Sequence, residues 1–470
     1  MEVSEVKFVL VVGKSKCSTS LAYSQIPGLQ QPLDIWPPGP GNVLIAQQPD
    51  LELATMLSQI DPKRIQAIIT KLVSFGTRHT LSNQTDPVRG IGAARDWIAS
   101  EMRAIAAPSK GRMVVTVPNY VQQPTTRIPN ATVISNIVAT LTGSKEPNRV
   151  YVVSGHYDSR VTNVLNGVDD APGADDDASG VAVSMELARV MATHQPAATI
   201  MFAVVAGEEQ GLFGSNFMAT TLKQQGVDVL GMLDNDIVGA SKGDDGKSDP
   251  FNIRMFVSGI PSSNTAAQNN ALASIGGEND SPAHQLGRFV AEVSQNFVTQ
   301  MNVRTIYRPD RFLRGGDQES FLSQGFPAVR FTEPHENFAH QHQDVRVANG
   351  TQFGDLIEFV DFEFNARVAK VNGAALWSLA QAPGTPKGVF IDTTVLTNNS
   401  TLRWAADSNP DIAGYEVVWR ESDLPQWNRV IPVGLVNSVT VNLSKDNVQM
   451  GVRAVGKNGF KSPAAFPMPG

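Results

Sequence analysis

The 470-residue chain has almost no cysteine: Cys17 stands alone. That excludes a disulfide framework and a thiolate metal site, so any metal must be held by histidines and carboxylates. Charge is also sparse, at 18% of residues, and it leans acidic: 45 Asp plus Glu against 38 Lys plus Arg, a net charge of -7. Lacking a basic excess or a basic run, the chain is not expected to bind nucleic acid. No apolar run approaches the length that spans a bilayer, so no transmembrane segment is expected. The apolar share of 41% indicates a globular protein, and the length favours two domains over one.

The first 48 residues include "IWPPGPGN" and show no sustained period, so they read as a leader or extended arm. Residues 8–12 form a short apolar stretch, but Glu2 and Glu5 stand where a secretory leader carries basic residues. The expected location is extracytoplasmic, secreted or periplasmic, without a clear leader.

From residue 51 the pattern turns helical. "DLELATMLSQIDPKRIQAIITKLVSFG" holds two helices, the second capped by Asp61 with Pro62 in its first turn, and "GIGAARDWIASEMRAI" holds another. Apolar strands at 149–155, 199–207, 229–236, 252–259 and 326–333 then alternate with helices at 178–193, 213–225, 283–301 and 353–381. Continuous Val/Ile/Phe strands alternating with helices predict an α/β fold over residues 49–382, its mostly parallel mixed sheet covered on both faces. "AQAPGTPKG" breaks the pattern, and short alternating strands follow. Trp404, Trp419 and Trp427 fall in this tail, which predicts a small all-β sandwich with its own core over residues 385–470.

"GADDDASG", residues 173–180, packs Asp175, Asp176 and Asp177 side by side. In a low-dielectric site such crowding costs several kcal/mol unless the charges are solvated, protonated or neutralised by a cation. The predicted strand ends supply company for them. His156 and Asp158 follow the first strand, Glu208 and Glu209 the second, and Asp234 and Asp236 the third; His335, His340 and His342 follow the last. Open α/β sheets carry their sites at these carboxyl ends. Carboxylates and imidazoles without thiolates suit zinc first, then manganese or cobalt, and two ions sharing a bridging carboxylate would account for the number of acids. Adjacent extended residues point to opposite sides, so one of Glu208 and Glu209 can bind metal while the other holds the attacking water and shuttles its proton. Asp158 is placed to accept the second ring N–H of His156.

"SGHYDS", "GADDDASG", "AGEEQG", "NDIVG" and "HQHQD", in this order over about residues 146–346, closely resemble the M28 peptidases, co-catalytic zinc enzymes of the bacterial leucyl aminopeptidase type. The resemblance implies two zinc ions. His156 and Asp236 would bind one, Glu209 and His340 the other, with Asp176 bridging and Glu208 as general base. It also implies a cis peptide between Asp176 and Asp177. Asp236 is preferred over Asp234 because "D-N-D-I-V-G" aligns with the family's "N-L-D-M-I-G". His340 is preferred because Asp344 lies four residues on, as in the family's "H-T-x-x-D", with His342 as runner-up. Gln318 stands where the family's "S-D-H-x-x-F" has histidine. The tail resembles a fibronectin type III module through "LRW", "GYEVVWR" and "GVRAV".

The expected activity is removal of N-terminal residues, apolar ones first, from peptides or proteins, with a metal-bound hydroxide as nucleophile. Arg311, Arg314 and Arg330 keep a carboxypeptidase open as an alternative, because carboxylate recognition wants arginines at the rim; a glutaminyl cyclase is another. A third reading makes the chain an adhesive or glycan-binding protein acting through the sandwich, which could in any case hold a polysaccharide or surface partner. Truncation near residue 384 separates this from the enzyme, which is expected to keep cleaving a small chromogenic substrate.

Overall fold

In the computed structural model, which describes residues 36–470, the Val- and Ile-rich runs form an eight-stranded sheet. The apolar stretch at 8–12 and Cys17 lie outside the described residues. In chain order the strands are β1 (Met113–Thr116), β2 (Ile137–Leu141), β3 (Glu146–His156), β4 (Ala198–Val205), β5 (Asp228–Asn235), β6 (Asn252–Val257), β7 (Asn302–Ile306) and β8 (Ala328–Thr332). Their spatial order is β7-β6-β8-β5-β3-β4-β2-β1. The four junctions β7/β6, β8/β5, β5/β3 and β3/β4 are parallel, and the other three are antiparallel. The sheet is therefore mixed, as expected. Strands β1, β2 and β7 were not anticipated, being only four or five residues long with apolar runs of at most three.

Helices cover both faces. They are α1 (Pro62–Val73), α2 (Ile91–Ala106), α3 (Ala178–Met191), α4 (Phe213–Gln224), α5 (Pro282–Ser294), α6 (Gln318–Ser323) and α7 (Phe362–Gln381). Alternation along β3 divides the core: Tyr151 and Val153 join α1, α2, α3, α5 and α7 on one side, while Val150 and Val152 meet α4 and α6 on the other. The Asp61 carboxylate caps α1 as expected, accepting from Lys63 N. Two helices are shorter than the sequence suggested. The α5 helix stops at Ser294, because the Asn296 side chain accepts from Val298 N and Thr299 N and closes a local turn. The α7 helix starts only after Asp361, which caps it, because Thr351–Phe353 pairs with Arg346–Ala348 instead.

The C-terminal strands form a β-sandwich-like region of two four-stranded sheets. Trp404 and Trp419 lie in its core with Tyr415, Val417 and Leu402. One of its edges is completed from the far end of the chain: Asn42–Val43 pairs antiparallel with Arg429–Gly434, and Trp419 Nε1 donates to the Pro40 carbonyl at 2.8 Å. Part of the expected arm is thus a strand of the sandwich.

Pro40–Gly470 form one compact unit, and buried polar contacts join the sandwich to the α/β part. Asp280 accepts from Arg288 of α5 at 2.9 Å and from Arg420 of the sandwich at 2.8 Å. Both guanidiniums lie over the Trp427 ring, whose Nε1 donates to Gln285 at 3.1 Å. The Pro425 carbonyl accepts from Arg288 and Tyr307. Arg453 pairs with Glu292 at 3.0 Å.

Candidate metal centre

The parallel strands β3, β4, β5 and β8 end on one rim, so the residues just past them converge. A sharp turn follows β4, where Gly207 adopts φ 74°, and presents Glu208 and Glu209 at the start of a short helix. The three consecutive aspartates have three different tasks. Asp175 accepts from Gly239 N and anchors the loop after β5. Asp177 caps α3 through Gly180 N and also accepts from the backbone N–H of His156. Only Asp176 turns its carboxylate into the cluster, and Asp355 holds it there by accepting from the backbone N–H groups of Asp175 and Asp176. Gly155 and Gly180 let β3 and α3 approach backbone to backbone; a Cβ on Gly155 would clash with the Gly180 carbonyl carbon. The Asp176–Asp177 peptide is cis, as the resemblance implied.

Two donor groups result, His156/Asp176/Asp236 and Asp176/Glu209/His342, with the atoms of each within 4.8 Å of one another. In the first, His156 Nε2 lies 3.2 Å from Asp176 Oδ1 and 3.9 Å from Asp236 Oδ1. In the second, His342 Nε2 lies 2.8 Å from Asp176 Oδ2 and 3.1 Å from Glu209 Oε1. Asp176 therefore offers one oxygen to each group.

The structure brings together four of the five residues expected as ligands, His156, Asp176, Glu209 and Asp236, and leaves the fifth apart. His340 does not reach the cluster: its ring stacks on Phe359 at 3.5 Å and 6°. His342 occupies the place assigned to it. Positive φ at His342, 51°, turns the chain so that this ring, two residues on, enters the cleft. The Asp344 carboxylate that suggested His340 instead accepts from Thr162 N. Asp234 stays outside both groups, accepting from Ser154 and from Gln318 N, while His335 packs against Gly243.

Asp158 acts differently from the expectation. The His156 Nδ1 atom lies 3.0 Å from the Asp158 backbone carbonyl and 3.6 Å from its carboxylate. The carboxylate accepts from Thr80 Oγ1 and from the backbone N–H groups of Glu208 and Glu209. Asp158 thus ties the His156 ring to the Glu208–Glu209 turn.

Several supporting groups escaped the sequence reading. Arg160 Nε donates to Glu209 Oε2 at 2.7 Å, and its Nη2 lies 2.6 Å from His342 Nδ1. Proximity was the available signal, since Arg160 is four residues from His156. Arg330, fully buried, lies 2.8 Å from Asp236 Oδ2 and 2.6 Å from Asp310. Gln318 joins that network, donating to Asp310 and the Pro309 carbonyl. Arg311 pairs with Asp310 and Glu336, and Arg314 with Glu336. All three arginines that kept a carboxypeptidase open are therefore bound to acids of the protein.

Negative charge exceeds its internal compensation. Burial pushes the Asp317 carboxyl up to about 7, with the charges of Asp158 and Asp236 adding to it. Burial also raises Glu208, reinforced by Asp236 and Glu209. Burial opposes protonation of His342, yet Glu209 and Asp176 push it up to about 10. Glu209 Oε1 and both Asp317 oxygens are buried without a hydrogen-bond partner. Oxygen and imidazole donors about 3 Å apart around unsatisfied buried carboxylates fit two divalent cations, since ligands held at roughly 2.0–2.1 Å in a tetrahedron are separated by a similar distance. The donor groups open into a cleft of about 340 Å³ lined by Glu208, Arg127, Arg314 and Glu319 among others.

Replacing His342 with alanine is expected to weaken the second ion at least a hundredfold, since loss of a mere supporting contact already costs ten- to a hundredfold. His340→Ala should leave the metal stoichiometry unchanged. Metal content after dialysis checks both, and the opposite pattern would restore the spacing-based assignment.

The peptidase family M28 model matches residues 136–351. A probable zinc metalloprotease of Pyrenophora teres f. teres is 59% identical over 437 residues, covering 92% of this chain and 90% of that one. A second, from Pyricularia oryzae, is 59% identical over 444 residues, covering 93% and 88%. Among solved structures, the LapA aminopeptidase of Legionella pneumophila shares the fold at a TM-score of 0.50 and 18% identity, over 71% of this chain and 78% of that chain.

Proposed function

The chain belongs to peptidase family M28, and from that premise we propose that it is a dinuclear zinc aminopeptidase that releases N-terminal, mainly apolar, residues from peptides. The observation that carries the reading is Asp176, whose two oxygens face two separate donor groups. His156 and Asp236 would hold one ion, Glu209 and His342 the other, and Asp176 both. Bound zinc supplies Lewis acidity, lowering the pKa of water and polarising the scissile carbonyl.

The chain's own groups do the rest. Glu208, in the cleft and outside both donor groups, takes the proton from the attacking water and returns it to the leaving amine nitrogen. Asp158 fixes the Glu208–Glu209 turn relative to His156. Arg160 sets the distance between Glu209 and His342. Glu319 lines the cleft outside both donor groups and offers a carboxylate to a substrate's α-ammonium, and the pairing of Arg311, Arg314 and Arg330 with acids argues against a carboxypeptidase.

The test uses a leucine tripeptide and its N-acetyl derivative. The free peptide should lose its N-terminal residue and the acetylated one should resist; C-terminal release from both would overturn the reading. Chelation should abolish turnover, and zinc or cobalt should restore it.

A further inference from the structure

Four arginines line the cleft that holds the donor groups, and three already face acids: Arg160 meets Glu209, while Arg311 and Arg314 meet Glu336. Arg127 differs. Its Nη1 donates to the backbone carbonyl of Glu209 at 2.9 Å, and among the described residues no carboxylate lies within ion-pair distance of it. A guanidinium has five N–H donors, so most remain for a ligand. The side chain projects from a pinned turn, in which Thr125 N donates to the Ile128 carbonyl at 2.7 Å and Ile128 N to Thr125 Oγ1 at 3.1 Å. Ile128 itself is fully buried and anchors the turn in the core.

We propose that Arg127 binds the terminal carboxylate of a dipeptide substrate, which makes short peptides with a free C-terminus the favoured class. The proposal rests on the aminopeptidase reading and deepens it. Glu319, outside both donor groups, lines the same cleft and offers a carboxylate to the ammonium end. In a dipeptide the carboxylate follows one residue past the scissile bond, and successive Cα atoms are only about 3.8 Å apart. The Arg127 guanidinium, tethered to the main chain of a proposed ligand residue, lines the same cleft as the donor groups. Arginine's planar fork matches a carboxylate with two parallel hydrogen bonds. In each longer peptide the terminal carboxylate lies roughly 3.5 Å further along and loses the contact.

The experiment compares leucyl-leucine, its C-terminal amide and trileucine in the metal-loaded enzyme. The unmodified protein should favour the free dipeptide over the amide roughly tenfold in kcat/KM, mainly through KM, as expected for a hydrogen bond to a charged group. In Arg127→Ala that ratio should fall to near one, and Arg127→Lys should keep part of it. Reading the ratio within each variant separates recognition from a general loss of folding. A ratio that survives the alanine substitution, or no preference in the unmodified enzyme, would overturn the Arg127 assignment alone. Failure to release N-terminal leucine from any of the three would instead overturn the aminopeptidase reading, and the Arg127 assignment with it.

Discussion

Glu208→Gln is expected to lower kcat roughly 10²–10⁴-fold, the range that a positioned acid–base group contributes. The substitution preserves shape and removes only the ability to carry a proton. Glu208 is in neither donor group, so metal content should stay at that of the unmodified protein. Asp176→Asn gives the contrast: both groups depend on that carboxylate, so both ions should weaken together. Elemental analysis alongside single-substrate kinetics distinguishes the two. If Glu208→Gln turned over normally, the proton would have to move through another group, and Glu209 and Asp317 would be the next to test.

The second large effect concerns the tail. A chain cut near residue 384 should fail to yield soluble, active enzyme, contrary to the expectation from sequence that the catalytic part stands alone. Truncation would strip Arg420 from Asp280, Arg453 from Glu292 and the Trp427 indole from Gln285. Asp280 is 2% exposed, and each lost hydrogen bond to a charged group typically costs about 1.5–3 kcal/mol. A domain is marginally stable at about 5–15 kcal/mol, so several such losses together would exhaust it. Arg420→Ala, measured by denaturant unfolding of the full chain, isolates one of them and should cost about 1.5–3 kcal/mol, because Asp280 keeps Arg288. A soluble fragment with full activity would show that the junction contributes little.

Much of the centre was readable because it follows strand ends. His156, Glu209 and Asp236 each sit just past an apolar run, and Asp176 just before a helix start, so a regular pattern located their clusters, and the family resemblance chose among Asp175–Asp177, Glu208 and Glu209, and Asp234 and Asp236. His340 and His342 lie in an irregular loop where no period applies. There, spacing to Asp344 pointed to the wrong ring, because the choice depends on one backbone angle at His342 that residue identity does not reveal. Arg160 and Asp355 were missed for a related reason: their partners are 49 and 180 residues away in sequence. The sandwich was visible in its tryptophans and alternation. Its union with the α/β part was not, since Asp280 and Arg420 are separated by 140 residues and look like ordinary surface charges in a linear reading.

The pairing of Asn42–Val43 with Arg429–Gly434 bears on biosynthesis. Residue 42 leaves the ribosome long before residue 430, so this edge of the sandwich cannot close until residues 429–434 have been translated. The partners are nearly four hundred residues apart, and so non-local a contact belongs among the last steps of folding. A nascent chain stalled before residue 429 would therefore keep the Asn42–Val43 edge without its partner strand.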